Sequence, residues 1–293
     1  MSTSDPSVQP EDQLFDGLVD GEPYPPPHHV LRQLPVEIET VAERCDHAWL
    51  RVDASDPLAY VSDLVVTVDV LGGFLVGPLV DPDWMATADL SLHLGTQPVS
   101  GTVLVAAKAL RLGRTSVVVS VELYDGDLDG PGCGQGVLAF TRLPRRTENL
   151  HLLRPEPGTR TELGGPEVVP GSVVRGLPVE VVDAAAGHLT VPVEPWGRNS
   201  FGAMNGGVVA AFAARAGVEM ATAVQGQPQV VTDLVVHYMA PASAGPLTTT
   251  GTTVRADAHG TAVRIDLLDT GQPGDDGAPR PVVLAHISTA PST

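Results

Sequence analysis

The nine residues Asn199-Ser-Phe-Gly202-Ala-Met-Asn205-Gly206-Gly207 stand immediately before a long Ala-rich apolar segment. Glycines at a helix start let a ligand approach the backbone closely. The first N–H groups of a helix lack internal partners and point outward at the positive end of its dipole. A carbonyl lodged there would have charge developing on its oxygen stabilised by the N–H of Gly206, with Asn199 or Asn205 as polar neighbours. The glycine pair could instead serve only to pack helix on sheet, but the spacing of the two asparagines favours the chemical reading. A second candidate is Asp69, a lone carboxylate inside the run Leu64 to Leu71. Burying an unpaired carboxylate is costly, so a role is favoured over a place on an exposed helix face.

What positions these residues is a duplication. With the sequence shifted by 144 positions, 87–125 meets 231–269 without a gap and eight positions are identical, among them Asp89/Asp233, Leu90/Leu234, His93/His237, Arg111/Arg255 and Asp125/Asp269. Chance gives roughly two or three matches in such a window. Upstream, Leu34-Pro-Val-Glu37 recurs as Leu177-Pro-Val-Glu180. The expected organisation is an acidic, Pro-containing arm over 1–33, a first repeat over 34–142, a linker over 143–176 and a second repeat over 177–293.

Each copy repeats one plan. A strand near 35–41 or 178–182 is followed by a short extended piece near 48–52 or 189–193. A long apolar segment and then strands separated by polar turns complete it. Residues 88–94 alternate, with Leu90, Leu92 and Leu94 on one face. Val117 to Tyr124 and Thr261 to Leu268 are β-branched runs. Gly207 to Ala223 is apolar nearly all round, which suits a helix buried on every side. Leu64 to Leu71 reads as strand by propensity, and only its alignment with the second copy makes it helix, capped by Ser62 or Asp63. The fold class is α+β.

Composition narrows the function. A net charge of −18 argues against a broad nucleic-acid surface. The acidic opening residues lack the apolar core of an export signal, and the Val208 to Val224 stretch, interrupted by Arg215 and Glu219, is too short to span a membrane. Cys45 and Cys133 show no metal-type spacing and read as free thiols of a cytoplasmic protein. His28-His29, in a Pro-rich run, reads as part of a solvated tail rather than a metal site.

The 199–207 loop resembles that of the phenylacetate-degradation-type thioesterases of the hotdog superfamily, which reads Asn-x-x-Gly-x-x-His-Gly-Gly. Asn199, Gly202, Gly206 and Gly207 match, and Asn205 stands where the family usually has His. Tyr238-Met-Ala-Pro-Ala242 is similar to the family's Tyr-x-x-Pro-Ala strand ending. The resemblance implies a double hotdog: two repeats, each an antiparallel sheet around one long helix, forming an intramolecular pseudo-dimer, with further homo-oligomers open. It implies hydrolysis of an acyl-CoA thioester without cofactor or metal. In the family a carboxylate lies nine residues beyond the loop His, on the helix, and serves the partner's loop. Here that position is Ala214, but the repeat alignment sets Asp69 level with it. The second copy thus has the loop without the acid, and the first has the acid without the loop, because Tyr60, Val61 and Ser62 stand at the loop positions. One composite site is expected. Asp69 acts as base or nucleophile, Thr87 holds water, Gly206 forms the oxyanion hole, and Asn199 and Asn205 orient the carbonyl. Gly202 and Gly207 contact substrate, and Arg198 reaches a CoA phosphate. His93 and His237, shared by both copies, read as structural.

Two rivals remain. A non-catalytic acyl-CoA-binding hotdog is suggested by the missing loop His, though it gives no reason to split acid and loop between copies. A hydratase or dehydratase would need Asp and His five residues apart in an Asp-x-Asn-Pro-x-His context. Asp183 and His188 have the spacing without the Asn-Pro.

Overall fold

A computed structural model describes residue 25 and residues 28–144, 156–274 and 277–292. The first half runs β1 (Val36–Ala42), β2 (Cys45–Arg51), α1 (Pro57–Val80), β3 (Trp84–Leu94), β4 (Thr102–Leu112), β5 (Ser116–Asp125) and β6 (Gly132–Leu143). Next come β7 (Arg160–Glu162) and α2 (Ser172–Gly176). The second half runs β8 (Glu180–Asp183), β9 (His188–Val191), α3 (Gly206–Gln225), β10 (Gln229–Tyr238), β11 (Leu247–Asp257), β12 (Gly260–Pro273) and β13 (Pro279–Pro291).

All thirteen strands form one sheet, in the order β7-β1-β2-β4-β5-β6-β3-β10-β13-β12-β11-β9-β8. Leaving β7 aside, the order is the same read from either end once each strand is matched to its counterpart. The halves join where β3 pairs antiparallel with β10, and Ser91 lies opposite Val235, its counterpart 144 residues on. The pairing is therefore two-fold symmetric about that point. His93 meets Asp233 at 2.8 Å and His237 meets Asp89 at 2.6 Å, which makes a reciprocal pair across the seam. The irregularities repeat too. Register shifts fall between Thr87 and Asp89 and between Val231 and Asp233, and again between Ala109 and Arg111 and between Thr253 and Arg255.

Both long apolar segments are helices inside the curve of this sheet. In α1, residues with strong β propensity adopt helix because they are enclosed on all sides. Leu64, Val65, Val66, Val68, Leu71 and Leu75 are fully buried, each burial worth about 1.5–3 kcal/mol. Tertiary packing outweighs a local preference of a few tenths of a kcal/mol per residue. By length and composition α1 and α3 could each cross a membrane, which corrects the expectation that the Val208 to Val224 stretch is too short and adds α1 beside it. Here the strands and the other helix cover them. The two helices touch closely: a Cβ on Gly207 would lie 2.6 Å from the Cα of Val66.

Four local expectations are corrected. The cap of α1 is Asp56, whose carboxylate accepts from Ala59 N at 2.9 Å, with Pro57 opening the helix. Tyr60, Val61 and Ser62 are therefore helical and form no loop. Asp63 is not a cap. It is buried and accepts from the N–H groups of Gly171 and, at 2.9 Å, Val173, so it ties α2 to α1. The segment expected to be a plain linker thus carries an anchored helix, and its β7 pairs with β1; residues 145–155 lie outside the described part. The end of the expected arm is also anchored, with His29, Val30 and Leu31 buried.

Candidate active site

The N-terminus of α3 meets the middle of α1 at Asp69. Four backbone N–H groups at a helix start need outside partners. Asn205 N donates to Gly197 O at 2.7 Å. Gly207 N donates to Asp69 Oδ2 at 2.9 Å, and Val208 N to the Asn205 side chain at 3.3 Å. Among the described residues, the N–H of Gly206 is the one of the four with no protein acceptor, and Gly206 is partly accessible. It is the donor left for a ligand oxygen.

Asp69 is 6% exposed and sits beside that donor. A Cβ added to Gly206 would lie 3.2 Å from each carboxylate oxygen, so the glycine keeps open the space in front of the acid. Thr87 Oγ1 donates to Asp69 Oδ1 at 2.7 Å. The register shift next to Thr87 in β3 is the kind that re-aims a side chain. Burial pushes the Asp69 carboxyl above its usual range, opposed by the Thr87 hydroxyl and then the Gly207 N–H. Acid and hydroxyl come from the first half and the helix start from the second.

The loop before α3 is held by its own polar groups. Asn199 Oδ1 accepts from Phe201 N at 2.9 Å and Ala203 N at 3.2 Å. Gly202 sits at φ +79°, which only glycine adopts readily. Arg198 donates to Gly202 O at 2.8 Å and Val193 O at 3.3 Å, while its own carbonyl accepts from His29 Nε2. Asn199 and Arg198 therefore shape the loop, and neither side chain stands at the Gly206 N–H. His29, expected in a solvated tail, is part of this scaffold, and burial lowers its pKa. The Phe201 ring lies 4.1 Å from that of Trp84, linking the loop to β3 of the other half.

The structure thus brings Asp69, Thr87, Asn205, Gly206 and Gly207 together, with Gly202, Asn199 and Arg198 behind them. Tyr238 was not singled out. Its hydroxyl donates to Gly206 O at 2.7 Å, and its place in the Tyr-x-x-Pro-Ala strand ending was the available signal. Among the described residues no cluster of His, Cys, Asp and Glu is arranged to hold a metal. Asp183 and His188 face each other on the outermost hairpin, β8–β9, far along the sheet from both helices' meeting point.

At the symmetry-related position the arrangement is different. Ala214 replaces the acid and Val231 the threonine. A cavity of about 120 Å³ there is lined by Ser62, Ala211 and Arg215 and by Val173, Val174 and Leu177 of the α2 segment.

Comparison with solved structures defines the architecture. The TesB protein of Mycobacterium avium subsp. paratuberculosis is 11% identical, with a TM-score of 0.57 over 87% of this chain and 96% of that one. An acyl-ACP thioesterase from Bacteroides thetaiotaomicron is 11% identical, with a TM-score of 0.53 over 85% of this chain and 100% of the other. A protein from Alicyclobacillus acidocaldarius described as having a hot dog fold is 11% identical, with a TM-score of 0.52 over 90% and 98%. The fold is the hotdog fold. The family model described as Thioesterase superfamily matches residues 201–273, a stretch that takes in the loop beyond Ser200, α3 and the strands β10, β11 and β12. Among curated proteins, none matches the chain in sequence.

Proposed function

We propose that this chain is a fused double hotdog that hydrolyses acyl-CoA thioesters at one composite site between its halves. The observation that carries the reading is the meeting of Asp69 from one half with the unused Gly206 N–H from the other. A thioester carbonyl directed at that N–H would develop its negative charge against a fixed donor at the positive end of α3. Asp69, ionised, either takes a proton from water or attacks the carbonyl carbon itself. In the first route Thr87, bonded to the same carboxylate, lies where the water would be held. In the second, the acyl group passes to Asp69 as a mixed anhydride as the C–S bond breaks, the CoA thiolate takes a proton from solvent, and water then hydrolyses the anhydride to release the acid and restore the Asp69 carboxylate. Asn205 keeps the helix start in place, and Asn199, Gly202 and Arg198 keep the loop in the shape that presents it. The match of residues 201–273 to the Thioesterase superfamily supports the reaction class, and the TesB and acyl-ACP thioesterase folds agree with it.

The test is a panel of acyl-CoA substrates of varied chain length and branching, with release of free thiol followed directly. Turnover on at least one member that disappears in Asp69→Asn is the expected result. No turnover across the panel, with acyl-CoA still bound, would favour the non-catalytic binding protein.

A further inference from the structure

Tyr238 lies at the end of β10, and its hydroxyl reaches the Gly206 carbonyl at 2.7 Å. The Gly206 carbonyl and the Gly207 N–H belong to the same peptide unit. That unit's other end donates to Asp69 Oδ2 at 2.9 Å. A peptide unit is planar and stiff, so a bond at each end fixes its plane. A donor at the carbonyl also polarises the unit and strengthens its N–H as a donor. The same strand ending holds the loop a second time, because Ala242 O accepts from Met204 N at 2.8 Å.

The arrangement exists on one side only. The residue 144 positions before Tyr238 is Leu94, which has no hydroxyl. The tyrosine thus accompanies the glycine pair and is missing where they are missing. A purely packing ring would be satisfied by leucine or phenylalanine, whereas this half-buried phenol commits its hydroxyl to the Gly206 carbonyl.

We infer that Tyr238 is a positioning residue, clamping the Gly206–Gly207 peptide from its carbonyl side so that the peptide's N–H holds the Asp69 carboxylate. The inference rests on the proposed hydrolase reading for its catalytic consequence, and on the geometry alone for the clamp. The elements packed against Asp69 present it with Thr87 of β3, Gly206 and Gly207 of α3 and Tyr238 of β10. Tyr238 is the titratable one among these. Its phenol is held well above its ordinary range, first by burial and then by the Asp69 charge, so it stays protonated and donating at any working pH. Removing the hydroxyl weakens the Gly207 N–H as a donor, and the carboxyl becomes harder to ionise.

The test follows the Asp69 carboxyl directly, by carbon NMR against pH, in the native chain, in Tyr238→Phe and in a chain carrying fluorotyrosine at 238. In Tyr238→Phe the Asp69 titration should move up by about half a unit to one unit, the worth of part of a hydrogen bond. The acid limb of kcat/KM should move with it. At neutral pH kcat should fall about three- to tenfold from lost alignment, while KM changes less than about twofold. Fluorotyrosine, a more acidic donor of nearly the same shape, should move the titration the opposite way. An Asp69 titration unmoved in both chains overturns the clamp. If Tyr238→Phe fails to fold, the fluorotyrosine chain decides alone by the same criterion. A native chain with no turnover across the acyl-CoA panel would remove the hydrolase reading, and an Asp69→Asn chain with full turnover the role of Asp69; either takes away Tyr238's catalytic consequence, even where the titration moves.

Discussion

Replacing Asp69 with asparagine should abolish turnover and leave the protein at least as stable as before. The shape is conserved and so are both contacts. The asparagine carbonyl can accept from Gly207 N, and its amide can donate to Thr87, whose hydroxyl rotates from donor to acceptor. What disappears is a buried charge. Burial raises the Asp69 carboxyl above its ordinary value of 3.8, so between the unfolded and folded values the native state holds a proton that the unfolded state has lost. Stability is then greatest below the unfolded value, falls as pH rises through that window, and stays lower above the folded value. Each unit of that window is about 1.4 kcal/mol. Relief of a charge kept for function commonly yields about 0.5–2 kcal/mol. For a chain of this size that means a rise in Tm of roughly 1–3 °C at pH 7, shrinking toward zero as pH approaches the unfolded value. Turnover should fall about a thousandfold or more, equivalent to about 4 kcal/mol of transition-state stabilisation. Thermal melts at several pH values, beside thiol-release kinetics on the same samples, measure both. A Tm lowered by several degrees at pH 7 would refute the reasoning on burial, and near-native turnover the reasoning on chemistry.

Asp63→Asn is expected to do the reverse: an amide replaces one of two acceptors for the Gly171 and Val173 N–H groups, costing about 1–3 kcal/mol in chemical denaturation with kcat changed less than about twofold. Gly207→Ala places a Cβ 2.6 Å from the Val66 backbone. It should force the helices apart, cost about 1–3 kcal/mol and reduce kcat at least about tenfold, and a variant with native Tm and native kcat would contradict the contact. Titration calorimetry with a non-hydrolysable acyl-CoA analogue should give one site per chain, and Ala214→Asp alone should not add a second; two equivalent sites would show that the pseudo-symmetric position is open.

Much of the fold could be read because the two halves of the sequence carry paired marks. The 144-residue offset set by Asp89/Asp233 and His93/His237 is the offset of the β3–β10 seam, where those residues meet. The same alignment overruled β propensity and made Leu64 to Leu71 a helix. Its limits were equally physical. Sequence placed the start of α1 at Ser62 or Asp63, because both are good caps, but Asp56-Pro57 is a stronger signal nearly two turns earlier. At the site, residues recognised by type and spacing were found grouped, yet the partners of their polar atoms were not legible. Asn199 and Arg198 looked like groups facing a substrate and instead bond to the loop that contains them. Tyr238 looked like a strand ending because the acceptor it serves lies 32 residues away in sequence.

The early start of α1 also explains why symmetry yields one candidate site. The counterpart of Gly206 is Val61, the fifth residue of α1, whereas Gly206 opens α3. A residue that far into a helix has its N–H committed to the carbonyl four residues back, as Tyr60 N already is to Asp56 O at 2.9 Å. Restoring glycine at 61 or 62 would therefore return no free donor, because the donor is lost to helix continuation and not to side-chain bulk. Extension of α1 by these residues carries Asp63 to the position where it receives the start of α2, and α2 then covers the surface that a ligand would need. Opening the second position would require shortening the helix, displacing α2 and supplying an acid at Ala214 together. Any single change should leave it closed.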